Sequence, residues 1–160
     1  MVLPKAGLGE WRAQCQLPPN IADFVGRAEI FRELCTTLES GDTPVVCLTG
    51  VPGVGKSALA VRVAHRLRTR FPDGQWYVCA DRRTWPGILA EMLATSGVEQ
   101  PPTSTTAAVV LLRQRLAGRR LLGTIDDAPK ASHHTGCFLS PTDAPSWPCG
   151  AAIPRPWPAT

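Results

Sequence analysis

The 160-residue chain has no run of eighteen apolar residues, no C-x-x-C pair, no block of like charge and only one tyrosine. The first absence leaves no membrane-spanning helix, and the opening MVLPKAGLGEW lacks the apolar stretch of a secretory signal. The expectation is a cytoplasmic protein with no membrane partner. The six cysteines are scattered, which argues against a zinc or disulfide framework. Cys47 and Cys79 fall within apolar strand patterns, where a thiol serves as a small apolar group. Net charge is +4, spread over isolated arginines. A nucleic-acid tract needs denser clustering, so the charge points to no such partner. What remains is enough chain for one domain with a core of its own.

The richest stretch is Pro44 to Ser57, PVVCLTGVPGVGKS. An apolar run (Val45, Val46, Cys47, Leu48) enters a glycine-rich turn, and a helical pattern follows. Gly50 to Ser57 is a complete G-x-x-x-x-G-K-[ST] match. Glycines let the backbone curl until successive N–H groups point inward as an anion nest, and the next helix adds its N-terminal dipole. Lys56 is a point charge for the β- and γ-phosphates, and the Ser57 hydroxyl suits a phosphate-bound Mg²⁺. The phosphate-binding set is Gly50, Gly53, Val54, Gly55, Lys56, Ser57 and Ala58.

Elsewhere the chain alternates helix and strand patterns. Residues 1–22 carry no periodicity, and Leu17-Pro18-Pro19-Asn20 marks a linker. Ile30, Leu34 and Leu38 predict a first helix, and Leu59, Val63, Leu67 and Phe71 a second over 58–71. Gln75 to Cys79 reads as a buried strand. Further helices are expected at Ile88–Leu93 and after a cap at Thr103 or Ser104, the latter with Val109, Leu112 and Leu116 as apolar positions. Leu121 to Ile125 is then a strand ending in Asp126-Asp127, although Gly123 and Thr124 weaken it. The order implies an α/β fold with a parallel sheet and crossover helices.

Asp126 and Asp127 follow Lys56 by about seventy residues, at the strand end where α/β sheets bind ligands. Asp126 is placed to hold the metal shell opposite Ser57, and Asp127 to orient a water near the γ-phosphate; with Lys56 it forms the catalytic pair. A competing dinucleotide fingerprint, Gly53-x-Gly55-x-x-Ala58 with Asp81 as the ribose acid, leaves Gly50, Lys56, Ser57 and both aspartates unexplained. A small-molecule kinase built on the same loop would need a lid arginine cluster that the sequence does not offer.

Taken together, LPPNIADFVGR (17–27), GVPGVGKSALA (50–60) and LLGTIDDA (121–128) resemble the NB-ARC-type STAND P-loop NTPases, in particular the bacterial SARP/AfsR-like transcriptional regulators. The resemblance implies a three-layer P-loop NTPase fold that holds ADP or ATP with Mg²⁺ as a switch and hydrolyses it slowly. It also implies self-association through the NTPase domain, and contacts from Val25 and Arg27 to the adenine and ribose. In that family the DNA-binding module precedes the NTPase, and none is seen in this chain. After the strand that ends in Asp126-Asp127 the family continues with another strand, one that bears a sensor arginine. By resemblance that strand lies between the phosphate-loop strand and the Asp126 strand.

From Pro129 onward the family pattern stops. Seven of the sixteen prolines fall in the last 32 residues, which frustrates helix and strand alike. His133-His134 with Cys137 and Cys149 fits no common zinc spacing. Trp147 and Trp157 could mark a Pro-rich ligand; the plainer reading is a tail without structural role, from truncated or out-of-frame coding. The expectation is therefore a linker over 1–22, a partial nucleotide-binding domain over 23–128 with an incomplete sheet, and an irregular tail over 129–160. In the alternative, the whole chain is a non-enzymatic fragment.

Overall fold

Helices form where apolar residues recur at helical spacing. The computed structural model describes residues 9–21, 26–40, 46–81, 83–127 and 134–139. Helix α1 (Ala28–Glu39) buries Leu34 and Leu38, and α2 (Lys56–Arg66) buries Leu59 and Val63. The stripe expected to continue to Phe71 does so across a break. A 3₁₀ turn at Arg68–Arg70 takes over from α2, and Phe71 still reaches the core. Helix α3 (Trp85–Thr95) starts at Thr84, whose hydroxyl accepts from the Gly87 N–H, and carries a proline in its first turn. Helix α4 (Thr105–Leu116) is capped by Ser104 rather than Thr103.

Four strands make one sheet in the order β1-β4-β3-β2. Strands β1 (Val46–Thr49), β2 (Gly74–Cys79) and β3 (Leu121–Asp126) come from the three apolar runs of the sequence. β2 and β3 run parallel, from Gly74 opposite Leu121 to Cys79 opposite Asp126. Gly123 therefore lies opposite Trp76, a fully buried indole, so the glycine that weakens β3 leaves that face without a competing side chain. α1 and α2 cover one face, with Leu48 and Leu122 beneath them; α3 and α4 cover the other, over Trp76, Val78, Leu121 and Ile125. The result is three layers.

The expectation of a wholly irregular tail and an unfilled sheet is corrected by β4 (His134–Leu139). This strand occupies the slot between β1 and β3 and is antiparallel to both, with Cys137 opposite Cys47 on one side and Ile125 on the other. The physical reason is twofold. A parallel insertion needs a crossover of a dozen or more residues, and only residues 127–133 separate β3 from β4. The slot also presents two rows of unpaired backbone groups, which a proline-free segment can satisfy. His134–Leu139 is such a segment, between Pro129 and Pro141. The rest of the tail, Cys149, Trp147 and Trp157 included, lies outside the described residues.

Residues 9–21, read as linker, form no regular element but are laid along the outer edge of β2. The Gln75 N–H donates to Gln14 O at 2.7 Å, and the Gln16 N–H donates to Gln75 O at 2.9 Å. Trp11 stacks on Trp76 with ring centroids 5.5 Å apart, donates its indole N–H to Asp73 O at 3.0 Å, and lies under the Arg119 guanidinium at 4.2 Å. The segment passes so close that a Cβ on Gly74, itself at φ +138°, would meet Gln14 O at 3.0 Å.

Candidate functional site

The carboxyl ends of β1 and β3 point to the same edge of the sheet, and the site is assembled there. β1 ends at Thr49, and the turn that follows places Gly50, Gly53 and Gly55 at positive φ (154°, 78° and 85°). Gly55 is the left-handed N-cap of α2, and among the described residues no side chain caps the helix there. Positive φ at these glycines curls the backbone in the way an anion nest requires.

Lys56 is almost completely buried at 5% exposure. Its ammonium donates to Gly50 O at 3.0 Å and Val51 O at 2.9 Å, folding the side chain back over the loop. An ammonium has three N–H bonds, so these two leave a third for a ligand oxygen. The loop is thereby braced from within by the cation that serves it.

Ser57 and Asp126, 69 residues apart in sequence, are in direct contact: the Ser57 hydroxyl donates to Asp126 Oδ1 at 2.8 Å. Asp126 is 8% exposed, and its second oxygen, Oδ2, accepts from the Tyr77 hydroxyl at 2.6 Å. Burial, followed by the hydrogen bond to and the charge of Asp126, pushes the Tyr77 phenol well above its ordinary pKa, so it remains a donor. Asp127, one residue on, is exposed and adopts a left-handed conformation (φ 50°). Aspartate is among the few residue types that enter this region readily.

Ser57 and Asp126 are thus brought together, Lys56 precedes Ser57 with its ammonium on the loop carbonyls, and Asp127 follows Asp126 exposed. Arg27 is half-buried at the left-handed N-cap of α1, and α1 packs against α2. Val25 lies outside the described residues. Asp81 is exposed beyond β2. The residue that sequence reasoning missed is Tyr77, taken there as part of a buried strand. Its signal was parity: in a parallel pair, a residue two before the end of β2 shares a face with the last residue of β3.

A profile of the AAA ATPase domain matches residues 23–141. The chain belongs to this family. The regulatory protein AfsR of Streptomyces coelicolor is 40% identical over 133 residues, and that of Streptomyces griseus 38% identical over 128 residues. Each match covers 73% of this chain and 13% of the AfsR protein, so the chain spans a small part of the length of these relatives. A replication factor C small subunit from Methanocella arvoryzae is 40% identical over 50 residues, covering 31% of this chain and 16% of that protein. No solved structure matches. Membership in the AAA ATPase family accounts for the phosphate loop as a nucleotide-binding element, and the matched region of this AAA domain takes in β4. No helix among the described residues is long and apolar enough to cross a membrane.

Proposed function

We propose that this AAA domain binds ADP or ATP together with Mg²⁺ and serves as the nucleotide switch of an AfsR-like transcriptional regulator, of the NB-ARC/STAND type, with slow turnover at most. The observation that carries this reading is the 2.8 Å contact between Ser57 and Asp126. It joins the loop half of the site to the carboxylate half, a pairing with no purpose in a merely structural glycine turn.

In this reading the N–H groups of Gly53, Val54, Gly55 and Ala58 hold phosphate oxygens, and Lys56 gives its remaining N–H to the β- and γ-phosphates. The donors at Ser57 and Asp126 fit Mg²⁺: a hydroxyl and a carboxylate are hard oxygen ligands, one from each side of the site. Among the described residues no cluster of three His, Cys, Asp or Glu side chains offers a softer or all-protein site. The ion, when bound, neutralises phosphate charge. Ser57 and Asp126, already within hydrogen-bond distance, need little reorganisation to face it together. Asp127, exposed next to Asp126, is the residue able to accept a proton from an attacking water. Arg27 and Val25 are assigned to the nucleoside by family resemblance.

The test is a titration of the purified chain with labelled ADP and ATP, with and without Mg²⁺, beside Lys56→Ala. Saturable binding that weakens on the order of a hundredfold in the variant is expected, as befits loss of a charged hydrogen-bond donor. Equal binding by both proteins, or none by the wild type, would overturn the reading.

A further inference from the structure

The site contains one side chain that nothing in the phosphate-loop motif accounts for. Tyr77 lies on β2, the edge strand of the described sheet, separated by two strands from β1 and its phosphate loop. Tyr77 stands opposite Thr124 in the ladder, and Cys79 opposite Asp126, so the phenol reaches along the strand direction to the carboxylate. It makes a 2.6 Å contact to Oδ2, while Ser57 holds Oδ1 at 2.8 Å.

We propose that Tyr77 is a positioning residue for Asp126: by holding Oδ2 it fixes the rotation of the carboxylate, so that Oδ1 faces Ser57 and a metal ion borne by a nucleotide on the loop. This inference rests on the nucleotide-binding reading above. Four features argue for it. The last torsion of an aspartate is broad and two-fold, so the carboxylate plane is set by what its oxygens touch. The Ser57 hydroxyl keeps its O–H when a lone pair ligates a metal, but it holds only Oδ1, and one anchored oxygen leaves the carboxylate plane free to turn. A phenol suits the task better than a cation, since it donates without cancelling the negative charge that the metal needs. An aromatic ring on a strand also moves little, so its hydroxyl is a fixed point.

Tyr77→Phe removes only the hydroxyl. In the purified chain saturated with labelled ADP, the variant is expected to keep metal-free nucleotide binding within about twofold while needing on the order of tenfold more Mg²⁺ for half of the metal-dependent gain in affinity. Lys56→Ala, run in parallel, is expected to bind nucleotide on the order of a hundredfold more weakly at every Mg²⁺ concentration. A second readout needs no variant. The chain has a single tyrosine, so selective ¹³C labelling gives one ring signal, and adding Mg²⁺ to the ADP-saturated wild type is expected to shift its phenol carbon. An unchanged Mg²⁺ requirement in a folded Tyr77→Phe protein, or a phenol signal indifferent to Mg²⁺, would overturn the assignment of Tyr77 alone. Failure of the wild type to bind ADP would overturn both readings at once.

Discussion

At the scale of single residues, the face of the sheet beneath α2 mixes well-paired and poorly paired polar groups. Gln75, 1% exposed, donates to Ala64 O at 2.7 Å and so fastens β2 to α2. Asp126 has both oxygens occupied. Thr124 lies on the same face of β3 as Asp126, yet its hydroxyl is buried without a hydrogen-bond partner among the described residues. A buried hydroxyl without a partner costs free energy that a methyl group of the same shape does not. Thr124→Val is therefore expected to raise stability by roughly 1 kcal/mol, read as a higher urea midpoint at constant slope. A drop in the midpoint would mean that the hydroxyl has a partner in the folded chain. Tyr77 and Thr124 also show where residue-level reading of the sequence stops. Lys56 and Ser57 belong to a contiguous motif whose chemistry is local. The partners of Tyr77 and Thr124 are set by strand pairing across about fifty positions, which no local pattern encodes.

At the scale of elements, sequence periodicity and folded structure agree where burial is one-sided. α1, α2 and α4 carry apolar stripes, and Leu34, Leu38, Leu59, Val63, Leu112 and Leu116, which the spacing selects, are buried; Ile30 and Val109 are only half-buried, and Ala60, Val61, Ala64 and Ala108 are buried beside the stripes. Strands β2 and β3 were legible as apolar runs, because both of their faces are covered. The segment 9–21 was not legible as a docked element, since its attachment is made by a few anchors and not by periodicity. Trp11 is the principal one, with a stacked neighbour, a hydrogen bond and a cation above it. Trp11→Ala is expected to lower stability by roughly 2 kcal/mol, measured by urea unfolding followed by far-ultraviolet circular dichroism. It should also expose the Gln75 amide to faster hydrogen exchange. Unaltered exchange at Gln75 would show that the backbone bonds to Gln14 and Gln16 hold the segment without the indole.

At the scale of the whole molecule, the sequence announced a nucleotide fold with a gap in its sheet, and the structure places β4 in that gap. Family resemblance supplied the position of the missing strand but not its direction, which follows from the short connection after β3. Composition misled because seven prolines dominate the tail, whereas a strand needs only six residues free of them. Cys137 pairs with a strand on each side, so Cys137→Pro removes a ladder donor from the centre of the sheet. The expected loss exceeds about 2 kcal/mol, with weaker nucleotide binding as its companion. A variant of wild-type stability would place the sheet's cohesion elsewhere. β4 stands between the strand that leads into the phosphate loop and the strand that ends in Asp126. Two ladder steps of about 4.8 Å each set the width between them. On the nucleotide-binding reading, the backbone of β4 serves the site as a spacer. It works as a gauge block does in a machine shop, holding two jaws at the opening for which the workpiece was cut.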